Sequence, residues 1–468
     1  MNSSYDVRIY KLQYRAGRPR PYGVRWKVAG KPFSKWFGTE GLADSERSEL
    51  IQAARRGEGF DTKTGWPQSK LRSLRNISWF QHATEYIDKK WPAASANHRI
   101  SMVETLVTVT TALVAGKRGE PDAETLRAAL RRWAFNPKQR PLPRPPEVEA
   151  ALAWITKASP SISTFADPAV LRDVLDACAT NLDGTPSAPS YLSRRRRVLS
   201  NVLKYAVVQK RLAANPLNDP DLHWDPPVRD SVVDEVDPRV VGSPAQMREM
   251  LTAVSYVGRT QGPRFVAFFG CMYYGMLRPA EATSLCQKDC HLPSSGWGKL
   301  ILAHSKPAAG KAWTDSGQVH EDRGLKGRAR REVRVVPIPP ELVELLREHI
   351  RRFGVAPDGR LFRSVNGGII HPSTYWRVWQ RARAIGLDPD EQKSPVLGRP
   401  YDLRHGGVSW RLYAGVPAPQ VAEWAGHSLE VLQKIYAKVV AGFDDVWFQR
   451  MDDVLDGHPT STDEGKNQ

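Results

Sequence analysis

The chemistry-bearing residues of this chain gather in its C-terminal half. Arg278 stands in GMLRPAEATSL, with Glu281 three residues on. Lys326 stands in GLKGRARREVRVVPIP, ahead of a strand, with Lys306, Lys311 and Arg328 as neighbouring cations. The segment RPYDLRHGGVSWRLYAGVPAPQVAEWAGHSLEVLQKIYAKVV then carries Tyr401, Arg404, His405, His427 and Tyr436. Arg404 to His427 is 23 positions and His427 to Tyr436 is 9. Arginine forks hold anionic oxygens, lysine and histidine transfer protons, and tyrosine can act as a nucleophile. Together these types describe chemistry on an anionic group. Gly426 is placed to close one helix and Ser428 to cap the next, so Tyr436 falls about two turns into that second helix.

Other chemistries lack support. No Gly-rich phosphate loop or HExxH is present, so neither ATP nor zinc is expected to drive a reaction. Cys286, Cys290 and His291 lie close together, but Cys178 and Cys271 make no matching second pair. The cysteines therefore read as small buried hydrophobes, and no metal is expected.

The composition agrees with an anionic partner. The 468 residues hold 68 Lys plus Arg against 50 Asp plus Glu, a net charge of +18. That excess points to nucleic acid. Four cysteines make no disulfide framework, which suggests a reducing, cytoplasmic setting. The first residues lack a signal-peptide core, and no apolar run approaches the ~20 residues of a membrane span.

The elements that must position these residues fall into three regimes, predicting a multidomain chain, mainly α with small β-sheets. Residues 1–70 form the first. The stretch 1–72 carries 15 Lys or Arg against 7 Asp or Glu. DVRIY, YGVRWKV and KPFSKWF alternate as strands, and SERSELIQAARR reads as a helix. A three-stranded sheet with a basic face is expected, with Arg8, Arg25, Lys27 and Lys35 as candidate nucleic-acid contacts. Residues 71–225 read as helical. SWFQHATEYIDKKW, HRISMVETLVTVTTALV, AETLRAALRRWAF and SYLSRRRRVLSNVLKYAVVQKRLAANPL carry apolar residues at three- and four-residue spacing. The last opens on Arg194, Arg195, Arg196 and Arg197, which fan around the helix. At least two of these, together with Lys204, are expected to contact phosphate. Residues 226–241 form an acidic, Pro-rich linker. Residues 242–455 mix helices with an antiparallel sheet whose clearest strands are WGKLILAH and RREVRVVPIP. The tail 456–468 is expected to be disordered.

The motif set resembles the tyrosine recombinase, or phage integrase, family across the whole third regime, and the preceding order of regimes fits as well. The family pattern is an Arg in a Leu-Arg-x-x-Glu context, a Lys on a β-hairpin, His-x-x-Arg-His, Gly-His, and a Tyr nine residues after that His. Here these are Leu277-Arg278-Pro279-Ala280-Glu281, Lys326, Arg404-His405, Gly426-His427 and Tyr436. Tyr401 departs from the pattern, standing where the family usually has its first His. In detail the chain looks most like integrases of actinobacterial phages and integrative elements.

The resemblance implies an arm-type DNA-binding domain, a helical core-binding domain and a catalytic domain. It implies site-specific cutting and rejoining of DNA through a 3′-phosphotyrosyl intermediate and a Holliday junction, without cofactor. Arg278 and Arg404 would hold the equatorial oxygens of the phosphorane. Tyr436 would attack, Lys326 would protonate the leaving 5′ oxygen, and His427 would donate to a non-bridging oxygen. His405 would orient the pocket or accept the nucleophile's proton. Glu281 would hold an arginine or His405 from behind, and Tyr401 would serve as a donor. The implied partners are double-stranded DNA with core and arm-type sites, further copies of the chain in a tetramer, and an excisionase or host DNA-bending protein. Two rivals share parts of this pattern: a DNA-binding regulator with the same fold, and a type IB topoisomerase. Tyr436 taken alone, flanked by Leu432, Ile435, Val439 and Val440, would read as an ordinary core tyrosine.

Overall fold

The computed structural model describes residues 3–70, 77–226, 236–325, 332–440, 448–449, 451–452 and 455. Lys326, much of the expected linker and the tail 456–468 lie outside the described residues. The chain divides into two compact units: Met1–Ala94 with His98–Arg229, and Asp230–Gln468 with Ser95–Asn97.

The first unit begins with a small sheet. Its central strand is β4 (Tyr22–Val28), in which Val24, Trp26 and Val28 are buried while Arg25 and Lys27 are exposed. Strand β5 (Lys31–Phe37) pairs along one edge of β4. The other edge is shared by two short strands, β2 (Val7–Ile9) and β3 (Gln13–Tyr14). The expected three-stranded sheet thus has its first strand broken in two. Helix α1 (Glu40–Arg55) packs Ala43, Leu50 and Ala53 against Val24, Trp26 and Val28. Burying a side chain such as Trp26 contributes about 2–3 kcal/mol, and its indole N–H is satisfied by the Gly65 carbonyl at 2.6 Å. A further short pair joins β1 (Ser3–Ser4) to β6 (Phe60–Asp61).

Helices that follow among the described residues include α2 (Trp79–Lys90), α3 (Ala96–Val114), α4 (Ala123–Ala128), α5 (Pro146–Ala158), α6 (Pro168–Ala179) and α7 (Pro189–Val208). The run AETLRAALRRWAF does not stay α-helical, because α4 passes into a π-helical turn over Ala129–Ala134. Helices α5 and α6 fall within the stretch read as helical, outside its four named segments, and each begins with Pro in its first turn.

The second unit is built around one apolar cluster. Helix α9 (Val266–Tyr273) is buried from Ala267 to Tyr273, and packs with α8 (Pro244–Ser255), α11 (Pro340–Phe353) and α14 (Asp402–Tyr413). Strands β8 (Gly298–Leu302) and β11 (Arg334–Ile338) run antiparallel over the two runs expected as strands, with β7 (Cys290–His291) on the outer edge of β8. A separate pair joins β9 (His304–Ser305) to β10 (Arg323–Gly324). Further helices among the described residues are α10 (Pro279–Ala282), α12 (Pro372–Gly386), α13 (Pro389–Lys393), α15 (Ala418–Ala425) and α16 (Leu429–Val440). All four cysteines are free, and no group of His, Cys, Asp or Glu among the described residues could hold a metal ion. No described helix is long and apolar enough to cross a membrane.

Candidate active site

Two glycines bring the first pair of arginines together. Gly406 and Gly407 on α14 lie against Tyr273, and a Cβ on Gly407 would collide with the Tyr273 carbonyl. That close approach sets Arg404, on the same helix, beneath the turn that leaves α9. The Arg404 side chain is fully buried and donates to the carbonyls of Met276 and Ala425. Arg278 follows the same turn and precedes α10. Its Nη2 donates to the Gly426 carbonyl at 2.9 Å.

Glu281 ties these guanidiniums to one carboxylate. It is 1% exposed. Its Oε2 accepts from the Arg278 backbone N–H at 2.8 Å, capping α10, while Oε1 accepts from Arg278 Nη1 at 2.9 Å. A third guanidinium, that of Arg334, is the one the sequence analysis missed. Arg334 grips the same carboxylate with both forks, Nη1 to Oε1 at 3.0 Å and Nη2 to Oε2 at 2.7 Å. Arg404 Nη1 lies 4.0 Å from Oε2. Burial alone would raise the Glu281 carboxyl, but the charges of Arg334, Arg404 and Arg278 outweigh it and hold it at about 2. Removing one partner of so deeply buried a pair costs about 3–5 kcal/mol.

His427 enters through a tight turn. Gly426 ends α15 in the left-handed region at φ 68°, and Ser428 accepts from the Val431 N–H at 3.2 Å to cap α16. His427 Nε2 is 2.8 Å from Arg404 Nη2. A guanidinium only donates, so Nε2 accepts and the imidazole proton sits on Nδ1. Burial first, then the charges of Arg404 and Arg278, drive His427 down to about 3, so it is neutral at pH 7. Nδ1 is thereby a buried donor, and neither it nor Arg404 Nε has a partner among the described residues.

Tyr436 completes the group. It is fully buried, and its hydroxyl lies 2.9 Å from His405 Nδ1. Burial lowers His405 to about 4, with Asp402 opposing and Arg404 assisting. His405 is thus neutral at pH 7, with its Nδ1 within hydrogen-bond distance of the tyrosine hydroxyl. The His427 and Tyr436 rings lie 6.3 Å apart, centre to centre, and nearly parallel. Burial raises the Tyr436 hydroxyl well above its ordinary value, while the charges of Arg404 and Arg278 pull it back. Burial likewise brings Arg404 to about 10, still charged at neutral pH. A cleft of about 370 Å³ opens over this group, lined by Tyr401, His405, His427, Arg399, Asp237 and Ile435. Tyr401 stands at its rim, 37% exposed, with its ring 5.3 Å from that of His405.

Seven of the eight candidate residues, all but Lys326, thus fall in one neighbourhood. Lys326 lies outside the described residues. Of its neighbouring cations, Lys306 donates its backbone N–H to the Ala280 carbonyl at 2.9 Å, beside α10.

The candidate DNA contacts divide more sharply. Arg8 faces Lys27 in the β2–β4 register, and Arg25 shares their exposed face. Lys35 does not. It pairs with Val24, so its side chain lies on the helix side, bound to Glu46 at 2.9 Å. On α7, Arg194, Arg196, Arg197 and Lys204 are exposed. Arg195 instead folds back to donate to the carbonyls of Cys178 and Thr180 at 2.7 and 3.1 Å.

No family model and no curated protein matches the chain. Among solved structures it is similar to the Tn1549 transposon integrase in complex with circular intermediate DNA, at 18% identity over 70% of this chain and 99% of that one, with a TM-score of 0.46. It is also similar to the XerH site-specific recombinase bound to palindromic difH substrate (14%, 78% and 97%, TM-score 0.43) and to a lambda integrase dimer bound to a core site (13%, 89% and 91%, TM-score 0.44). With each of these scores under 0.5, the functional reading rests on the geometry of the pocket.

Proposed function

We propose that the chain is a site-specific DNA recombinase of the tyrosine class, an integrase that cuts and rejoins strands through a 3′-phosphotyrosyl intermediate. The observation that carries this reading is the Tyr436 hydroxyl, hydrogen-bonded to neutral His405 beside the Arg404–His427 pair. A buried tyrosine with a base at 2.9 Å and fixed guanidiniums nearby is a nucleophile awaiting an anionic electrophile.

A phosphodiester entering the cleft meets His427, whose Nδ1–H can donate, with Arg404 and Arg278 just behind the lining. These donors favour the charge that builds on its non-bridging oxygens during in-line attack. His405 takes the phenolic proton as the Tyr436 oxygen bonds to phosphorus. The bond to the 5′ oxygen breaks, and Lys326 supplies that oxygen's proton. Reversal by a 5′ hydroxyl from a second duplex rejoins the strand, and the phosphotyrosine conserves the bond energy, so no nucleotide is consumed. Tyr436 is seated in the pocket of its own chain, which supports cleavage in cis. The exposed cations of the N-terminal sheet support an arm-site role for residues 1–70, and those of α7 support a core-site role for residues 71–225. Such a machine works as a tetramer on DNA, through a Holliday junction, to integrate a mobile element.

The test is a covalent trap. Candidate attachment-site DNA, nicked near the cleavage point, is incubated with the protein and resolved under denaturing conditions. An adduct mapped to Tyr436 is expected. Tight binding without adduct marks a DNA-binding regulator, and relaxation of supercoiled DNA without strand exchange marks a topoisomerase. A substrate with sulfur at the 5′ bridging position should rescue Lys326→Ala, because a thiolate leaves without a proton.

A further inference from the structure

Arg334 touches no reacting atom, yet it holds the carboxylate on which the anion-binding arginines are set. We propose that Arg334 is a positioning residue for strand cleavage. It cancels the charge of Glu281 and fixes its plane, so that Arg278 and Arg404 turn their charge toward the scissile phosphate. This role rests on the strand-cleavage reading above.

The hydrogen bonds of Glu281 show why. Each carboxylate oxygen accepts two: Oε1 from Arg334 Nη1 and Arg278 Nη1, Oε2 from Arg334 Nη2 and the Arg278 backbone. Arg404, 4.0 Å away, is left outside hydrogen-bond range. Three guanidiniums against one carboxylate leave the site strongly cationic. Without Arg334, two oxygen lone pairs fall free, and the nearest donors able to fill them are Arg278 and Arg404 themselves. The carboxylate would then neutralise the charge meant for DNA. Both fork nitrogens of Arg334 are committed to Glu281, so it does not serve the phosphate directly. Its planar fork matches both oxygens at once, which a lysine cannot do. Arg334 also supports the turn that carries His427. A Cβ on Gly426 would collide with Arg334 Nη1, and the Gly426 carbonyl in turn accepts from Arg278.

The experiment measures single-turnover adduct formation on nicked core-site DNA, alongside DNA affinity and thermal melting. It uses the full chain as wild type, Arg334→Met, Arg334→Lys and the double variant Glu281→Gln/Arg334→Met. Arg334→Met should cleave about 30-fold or more slowly, with core-DNA affinity nearly unchanged. Arg334→Lys should fall between it and wild type. The double variant should recover part of the loss, because the charge that needed cancelling is gone. The deficit of Arg334→Met should also shrink on DNA whose scissile phosphate carries a methyl group in place of one non-bridging oxygen. If Arg334→Met does not fold, the comparison of Arg334→Lys with the double variant on both substrates decides. Wild-type cleavage rates in the variants overturn the proposal. So does a deficit that tracks melting temperature and persists unchanged in the double variant and on the methylated substrate. Absence of adduct from the wild type overturns the strand-cleavage reading itself, and this role with it.

Discussion

Cations serve the two units in opposite ways. On the N-terminal sheet, Arg8, Arg25 and Lys27 stand in solvent on one face. In the second unit, Arg278, Arg334 and Arg404 converge on a single buried carboxylate. Exposed charges are screened within about 8–10 Å and free to swing, so each adds a small, interchangeable share of attraction to any polyanion. Buried charges are fixed in place and act at a low local dielectric, so each holds one position and none can stand in for another. The first arrangement suits reading a backbone, and the second suits reacting with it.

The comparison can be broken at its strongest point first. Tyr436→Phe should keep DNA binding and lose all covalent adduct, since the missing hydroxyl is the bond-forming atom. Any adduct in that variant moves the nucleophile elsewhere. Next, Arg404→Ala and Arg278→Ala should each slow single-turnover cleavage by at least about 100-fold, as loss of an oxyanion donor does. Binding should fall far less, because many other cations contact the backbone. Unchanged cleavage in either variant would remove that arginine from the pocket. Gly426→Ala should cost about 10-fold in cleavage with little change in binding. The left-handed turn resists a side chain, and the added Cβ displaces Arg334 or the turn before His427.

The smallest effects sharpen the other side. Arg8→Ala, Arg25→Ala and Lys27→Ala should each lower the slope of log affinity against log salt for arm-site DNA by about 1. Lys35→Ala should leave that slope unchanged and instead lower thermal stability by about 0.5 kcal/mol, through loss of its bond to Glu46. A slope change for Lys35→Ala, with none for the other three, would reverse the assignment of the sheet's faces.

What the sequence made legible follows from how local each signal is. Gly426, His427 and Tyr436 lie on one turn and the helix after it, so spacing alone places them. Arg278 and Glu281 share a helix start, and their spacing is again local. Arg334 was legible only through its strand. In RVVPI, Arg334, Val336 and Ile338 occupy alternate positions, all turned inward. A charge on the apolar face of a strand calls for a buried counter-ion, but that partner lies 53 residues away and only tertiary structure supplies it. Lys35 misled for a related reason. Its run is basic, yet the register with Val24 sets it on the helix side. The fan of arginines on α7 had the same ambiguity, which Arg195 resolves by turning to backbone carbonyls of α6 and the residue after it. The π-helical turn after α4 left no sign in the apolar spacing, which continues through it.

The burial that closes the ring of partners around Glu281 also moves the titrations of its neighbours away from neutrality. Glu281 sits at about 2, His427 at about 3, His405 at about 4 and Arg404 at about 10. None of these four groups changes charge near neutral pH. A shift in acidity around neutrality leaves the charge of these four groups as it is. On the proposed reading, control falls to mechanics instead: which duplex lies in the cleft, and whether a second one is brought beside it.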